Sequence, residues 1–250
     1  MLQATRNEII LRELRAGRTL KVAELSQKLN VSVDTVRRDL KALDASGRLK
    51  YVRGGACLPD SMLAFSNFSG REIDNADLKR VIAVKAAGLV KKDQVVAMNS
   101  GTTNAIIASE FVKLTISFTV VTNNLAAATV LMAAPNIRLF CVGGLVDGTE
   151  RSTCGSQCVS EFSEYLPDLS FLSLNAVNLD AGFTDFRLSE IPVIKSLVRR
   201  SKVVCAVMDS SKFNRVSKKH ALDFDEVDLL VTDDVSRAHS IFDAKELEIL

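Results

Sequence analysis

From residue 95 onward the chain alternates short, largely apolar segments with stretches of helical spacing. The apolar segments are 95–98, 118–121, 137–140, 169–174, 203–208 and 227–231. Helical stretches at 103–113, 125–134, 155–166 and 188–201 separate most of them. A strand that is apolar at every position, rather than at alternate positions, is buried on both faces. Such strands joined through helices predict a mostly parallel sheet covered on both sides, a Rossmann-like α/β domain. An amphipathic helix carrying Leu78, Val81, Ile82, Ala86 and Leu89 precedes the first strand.

The first 46 residues carry a different pattern, three helices and no long strand. Ile9, Ile10 and Leu14 share one helical face, and Gly17 is a stop signal. Val22, Leu25 and Leu29 mark a second, short helix closed by Asn30. Val33, Val36, Leu40 and Leu43 mark a third, with Ser32 as N-cap, Asp34 in the positive first turn and Gly47 at the end. Residues 48–55 then read as a strand closed by Gly54 and Gly55. Helix, helix, turn, helix and a two-stranded wing make the winged helix-turn-helix pattern. Pro59, Ser61, Ser66, Asn67, Ser69 and Gly70 break up the next segment, though Met62, Leu63, Phe65 and Phe68 can pack. The expected organisation is residues 1–57 as a DNA-binding domain, 58–76 as a linker and 77–250 as an α/β domain.

Charge divides along the same line. Residues 1–58 hold 12 Lys and Arg against 6 Asp and Glu, within a chain whose net charge is only +2. A small basic unit therefore precedes a larger, mildly acidic one, which points to a polyanionic partner for the first. With Val36, Leu40 and Leu43 turned to the core, the third helix offers Asp34, Thr35, Arg37, Arg38 and Lys41 on its other face. A guanidinium fork matches both guanine O6/N7 and phosphate oxygens, so these residues fit double-stranded operator DNA. Ser32, Thr35 and the helix-start amides suit a backbone phosphate, and Arg48, Lys50 and Arg53 lie in the wing.

The ends of the later strands are polar. Asn99, Ser100, Gly101, Thr102 and Thr103 link the first strand to a helix, and Thr122, Asn123 and Asn124 follow the second. Gly143 and Gly144 follow the third; Asp209 and Lys212 follow the strand at 203–208. In a parallel sheet these ends gather on one side, where ligands bind. Neither a Walker A loop nor a G-x-G-x-x-G fingerprint is present. Hydroxyls, amides, free helix-start N–H groups and one lysine suit a hydroxylated, phosphorylated metabolite.

The run Val31-Ser32-Val33-Asp34-Thr35-Val36-Arg37-Arg38-Asp39-Leu40, with Gly54-Gly55-Ala56 after it, resembles the DeoR family of bacterial transcription regulators. The resemblance extends through Ser100 to Thr103, Thr122-Asn123, Gly143-Gly144, Gly155, Asp168, Phe171, Gly182, Thr184, Glu190, Lys195 and Asp209 to Phe213. It implies a winged helix-turn-helix joined to an effector domain similar in fold to ribose-5-phosphate isomerase and glucosamine-6-phosphate deaminase. It also implies a phosphorylated sugar as effector and adds Asn175, Gly182, Glu190 and Lys195 to the effector-site candidates. Tyr51 and Arg53 depart from the family's wing, where Arg and His are usual. Asn99 stands in place of the usual Asp, and Ala176 in place of Gly. An amide at position 99 donates and accepts hydrogen bonds but is no carboxylate base.

Other residues carry less. Five cysteines, an odd number, argue against a disulfide framework and for the reducing cytoplasm. Cys154 and Cys158 have no second ligand pair, Cys141 and Cys205 read as small core residues, and His220 and His239, 19 positions apart with no partner cluster, read as surface or packing residues. The acidic run at Asp223, Asp225, Glu226 and Asp228 reads as a solvated loop before the last strand. No apolar run approaches the ~20 residues that span a bilayer. The N-terminus, with Arg6, Glu8, Arg12 and Glu13, does not read as a signal peptide. The sequence reading is a cytoplasmic DNA-binding regulator working as a homodimer or homotetramer without cofactor, metal or catalytic residues, and the resemblance implies a repressor of a carbohydrate-metabolism operon. The alternative is a sugar-phosphate isomerase or deaminase with an accessory DNA-binding domain.

Overall fold

The computed structural model describes residues 2–15, 20–46, 48–52, 55–57, 68–243, 245 and 247–250. Gly17, Gly47, Arg53, Gly54 and the first part of the expected linker, 58–67, lie outside the described residues. The chain divides into two compact units, Met1–Asp74 and Asn75–Leu250.

The first unit runs α1 (Gln3–Arg15), β1 (Leu20–Lys21), α2 (Val22–Leu29), α3 (Val33–Ala45), β2 (Lys50–Val52), β3 (Gly55–Cys57) and α4 (Phe68–Ile73). Ile10, Leu14, Leu25, Leu29, Val36, Leu40 and Leu43 bury together, as their helical spacing predicts. Val33 is the exception at 37% exposed, because it sits at the first residue of α3, outside the buried face. Asn30 ends α2 in the left-handed conformation (φ 51°). Ser32 caps α3 by accepting from the Thr35 amide at 3.2 Å. Asp39, on the buried side of α3, is held by Arg6 of α1 at 2.7 and 3.1 Å.

Sequence spacing misses β1. It pairs antiparallel with β3, which also pairs with β2, giving the order β1-β3-β2. A Cβ on Gly55 would run into the Leu20 carbonyl, so this pairing needs glycine. The segment expected as a linker is helical at α4, within the first unit.

The second unit continues with α5 (Ala76–Gly88), β4 (Val95–Met98), α6 (Thr102–Phe111), β5 (Phe118–Thr122), α7 (Leu125–Leu131), β6 (Ile137–Cys141), β7 (Leu145–Asp147), β8 (Ser152–Cys154) and α8 (Ser156–Phe162). It ends with β9 (Leu169–Ser173), β10 (Ala176–Asn178), β11 (Gly182–Asp185), α9 (Ile191–Arg200), β12 (Val204–Val207), β13 (Lys219–Leu222), β14 (Leu229–Val231), α10 (Val235–Phe242) and β15 (Glu248–Ile249). The main sheet is parallel throughout its described ladders, in the order β15-β14-β12-β9-β4-β5-β6.

Alternate residues of its strands feed two cores. Ala97, Val121, Leu172, Ala206 and Leu230 pack with α8, α9 and α10. Val96, Val120, Phe171, Cys205 and Val231 pack with α5, α6 and α7. Burial of both faces is what apolar residues at successive positions of these segments implied. On α5 the buried side is Lys79, Ile82, Ala83 and Ala86; Val81, expected inward, is 44% exposed.

Three further features correct the sequence reading. A hairpin of β7 and β8 and an antiparallel sheet β10-β11-β13 flank the main sheet. The acidic run is not followed by the last strand, since β15 lies beyond β14, and Asp228 accepts from the Val204 amide at 2.7 Å. Cys141 is exposed because β6 is an edge strand, whereas Cys205 is buried.

Gly55→Ala is expected to destabilise the first unit by about 1–3 kcal/mol through forced separation of β1 from β3. Denaturant unfolding followed by circular dichroism checks this, and an unchanged midpoint would mean the close approach is absent in solution.

Candidate ligand site and nucleic-acid interface

Helix α3 offers its uncovered face as expected. Ser32, Asp34, Arg37, Arg38 and Lys41 are exposed, and Thr35 is half-buried. The Ser32 and Thr35 hydroxyls lie 2.9 Å apart at the helix start. Arg37 Nη1 donates to Asp34 at 3.2 Å, and Arg38 Nε donates to the Asp34 carbonyl at 3.4 Å. Solvent screens such exposed pairs, so they leave both guanidinium groups available to a stronger anion. Arg48 is exposed before β2, Lys50 opens β2, and Arg53 lies outside the described residues.

At the carboxyl end of the main sheet, the polar residues are buried and bonded mostly to one another. Gly101 joins β4 to α6 at φ 129°, and a Cβ there would sit 2.5 Å from Ser173 Oγ and 3.2 Å from Arg187 Nη1. Only glycine fits both the conformation and the space. The loop is braced from three sides. Ser100 donates its amide to Glu190 Oε1 at 2.8 Å, and Asn124 Nδ2 donates to the Gly101 carbonyl at 2.9 Å. Arg187 Nη1 donates to the Ser100 carbonyl and hydroxyl, both at 3.0 Å.

Arg187 was not foreseen in the sequence. Its Nη2 donates to the Ser173 carbonyl at 2.7 Å and to Asp185 Oδ2 at 2.6 Å, while Nε donates to Asp185 Oδ1 at 2.9 Å. One buried guanidinium thus links the loops after β4, β9 and β11. Asp185, Glu190 and Glu150 hold it charged against the desolvation that opposes that charge. Burial pushes the Glu190 carboxyl above its ordinary range, and Arg187 and the Ser100 amide only partly offset this.

Asn99 is buried in the same network. Its Oδ1 accepts from the Ser173 amide at 2.8 Å and its Nδ2 donates to the Ser173 carbonyl at 3.3 Å. A carboxylate could make the first bond but not the second. Asn104 Nδ2 adds a bond to Asn99 Oδ1 at 2.9 Å. Thr122 donates to the Met98 carbonyl at 2.8 Å and accepts from the Asn124 amide at 3.0 Å.

What remains for a ligand is specific. The amides of Thr102 and Thr103, at the start of α6, make no hydrogen bond to the described residues. Thr103 Oγ1 and Asn123 Oδ1 are buried without a partner. A helix start with free donors favours an anion.

Further along the edge, burial works to raise the Asp209 pKa, but Lys212, the Ser211 hydroxyl and Lys79 hold it below the usual carboxylate range. Lys212 Nζ donates to the Leu174 carbonyl at 2.9 Å. Gly143 gives its amide to Glu161 at 2.9 Å, and Gly144 adopts φ 135° against the Cys154 carbonyl.

Other candidates are placed elsewhere or differently. Gly182 (φ 65°) starts β11 and packs against the Leu222 carbonyl, a hairpin role. Asn175 is half-buried between β9 and β10. Lys195 is exposed on α9, whereas Glu190 is buried at the start of that helix. Cys158 is buried and its thiol is pushed up to about 12, so it is not a reactive thiolate. Among the described residues no His, Cys, Asp and Glu cluster could hold a metal, and no helix is long and apolar enough to cross a membrane.

Comparison with known proteins agrees with both units. Residues 6–62 match the DeoR-like helix-turn-helix domain, and residues 74–234 match the DeoR C terminal sensor domain. The chain is 33% identical to the HTH-type transcriptional regulator GolR of Listeria innocua, covering 93% of this chain and 91% of that one. It is 29% identical to a putative aga operon transcriptional repressor of Escherichia coli O157:H7, covering 94% and 88%. Among solved structures, ribose 5-phosphate isomerase A from Methanocaldococcus jannaschii aligns with a TM-score of 0.42 at 19% identity, over 56% of this chain and 55% of that one.

A raised folded-state pKa means that Glu190 binds its proton more tightly folded than unfolded. It therefore costs no stability below the ordinary carboxylate range and subtracts stability as pH rises above it. Glu190→Gln, which keeps an acceptor for Ser100, should gain on the wild type in melting temperature as pH rises above the ordinary carboxylate range. A difference that stays flat or shrinks with pH would contradict the burial cost assigned to Glu190.

Proposed function

This chain is a member of the DeoR family, and we propose that it is a DNA-binding transcription regulator, a repressor of a carbohydrate-metabolism operon, whose DNA affinity is set by a phosphorylated sugar bound in the second unit. The observation that carries the reading is the capped helix α3, which buries one face and leaves Arg37, Arg38 and Lys41 exposed on the other. That is the requirement for a recognition helix entering the major groove. Double-stranded operator DNA is the partner of the first unit.

The effector reading is supported by the start of α6. A phosphate there would take the free first-turn amides and the buried Thr103 hydroxyl. Ser100, Gly101, Thr102, Thr103, Asn123 and Asn124 form its surroundings, and Lys212 supplies a cation at the same sheet edge. Asn99 serves as a brace, because both atoms of its amide pair with Ser173. This favours a sensor over an isomerase or deaminase, which would need a carboxylate or another base at that turn. The effector and the DNA are linked thermodynamically, each altering the affinity of the other. A homodimer or homotetramer in the cytoplasm would present two recognition helices to repeated half-sites.

Arg37→Ala should weaken binding to selected operator DNA by about 1–3 kcal/mol and relax sequence choice at one position. Gel-shift titration checks this, and unchanged affinity and selectivity would remove Arg37 from base reading. Lys212→Ala should abolish the response to the phosphorylated sugar while DNA binding persists. A variant that still responds fully, measured by DNA binding with and without the sugar, would exclude Lys212 from effector recognition.

A further inference from the structure

We infer that the ligand of the second unit carries a primary ammonium group, seated against Glu190 and Asn123, in addition to the anionic group at the start of α6. The inference rests on the effector reading above and names the other half of the ligand.

The amide of Asn123 has a fixed orientation. Its Nδ2 donates to the Thr153 carbonyl at 2.8 Å and to Glu190 Oε2 at 3.3 Å, so its Oδ1 is an acceptor. That oxygen is buried and unpartnered, beside a buried carboxylate. Glu190 Oε1 takes the Ser100 amide, Oε2 receives a long bond from Asn123, and the Ser100 hydroxyl bonds the same carboxyl, which still leaves lone pairs on its two oxygens. Two acceptors therefore converge with capacity left over. Thr103, whose hydroxyl is also buried and unpartnered, follows Gly101, and the Gly101 carbonyl is tied to Asn124.

Charge points the same way. Asp185 already pairs bidentately with the guanidinium of Arg187, and Glu190 is a second buried carboxyl beside it. Arg187 cannot turn to Glu190, because its N–H donors are spent on Asp185, Ser100 and Ser173. A buried surplus of negative charge is costly unless a cation matches it. An ammonium supplies that charge together with three donors and no acceptor, whereas a sugar hydroxyl supplies one donor and no charge. With the anion at α6, the ligand class is an amine-bearing phosphate ester such as a phosphorylated amino sugar.

The test is calorimetric titration of the full chain with glucosamine 6-phosphate and, separately, glucose 6-phosphate. The amine should bind about tenfold tighter or more, the scale of a charge-assisted hydrogen bond. Glu190→Gln should bring the two within about twofold of each other. Equal or tighter binding of glucose 6-phosphate to the wild type would overturn the inference and leave the anion site standing. Binding of neither would overturn both. A preference that survives Glu190→Gln would overturn the assignment to Glu190.

Discussion

A buried guanidinium must find a partner for each of its N–H groups, and Arg187 finds them on three different loops. Asp185 takes two of the five bonds, the Ser100 carbonyl and hydroxyl take two more, and the Ser173 carbonyl takes the fifth. The turn between β4 and α6 is thereby fixed in a conformation that only glycine adopts readily, at Gly101 φ 129°. Removing one member of such a network leaves a buried charge or dipole unpaired, which costs far more than the pair contributes. The carboxyl edge of the sheet is braced by buried polar groups that bond to one another.

The same network decides what is left open. Ser100 gives its amide to Glu190, and Asn99 gives both amide atoms to Ser173. The start of α6, Thr103 and Asn123 keep unused polar atoms. A site of this kind binds by completing hydrogen bonds that the protein has already oriented, so little ordering remains to be done on binding. In the first unit the logic is reversed. Arg37, Arg38 and Lys41 are exposed, loosely paired and free to change partners.

Much of this was legible in the sequence, and the exceptions have physical causes. Largely apolar segments located the strands of the main sheet from β4 to β14, because burial on both faces favours apolar residues at successive positions. Ser32 and Asn30 marked helix ends through capping chemistry that is local and so visible in a short window. β1 is two residues long and exists only through pairing with β3, a contact that no local pattern encodes. The hairpin of β7 and β8 and the strands β10, β11 and β13 are short and mixed in polarity, and they were missed for the same reason. Asp185 and Arg187 carry no pattern that marks them in the sequence; only the fold brings Ser100 and Ser173 to Arg187. Glu190 and Lys195, equally plausible by sequence, part company because one is buried at a helix start and the other is exposed.

The proposed linkage between a polyanion at α3 and an anion at α6 is open to direct measurement. The dissociation constant of the full chain for selected operator DNA should be followed by fluorescence anisotropy at fixed salt, while a hexose 6-phosphate is titrated in. The account predicts a shift that saturates with the sugar, and an equal factor in sugar affinity when DNA is titrated instead. Tight DNA binding that no phosphorylated sugar alters would contradict it.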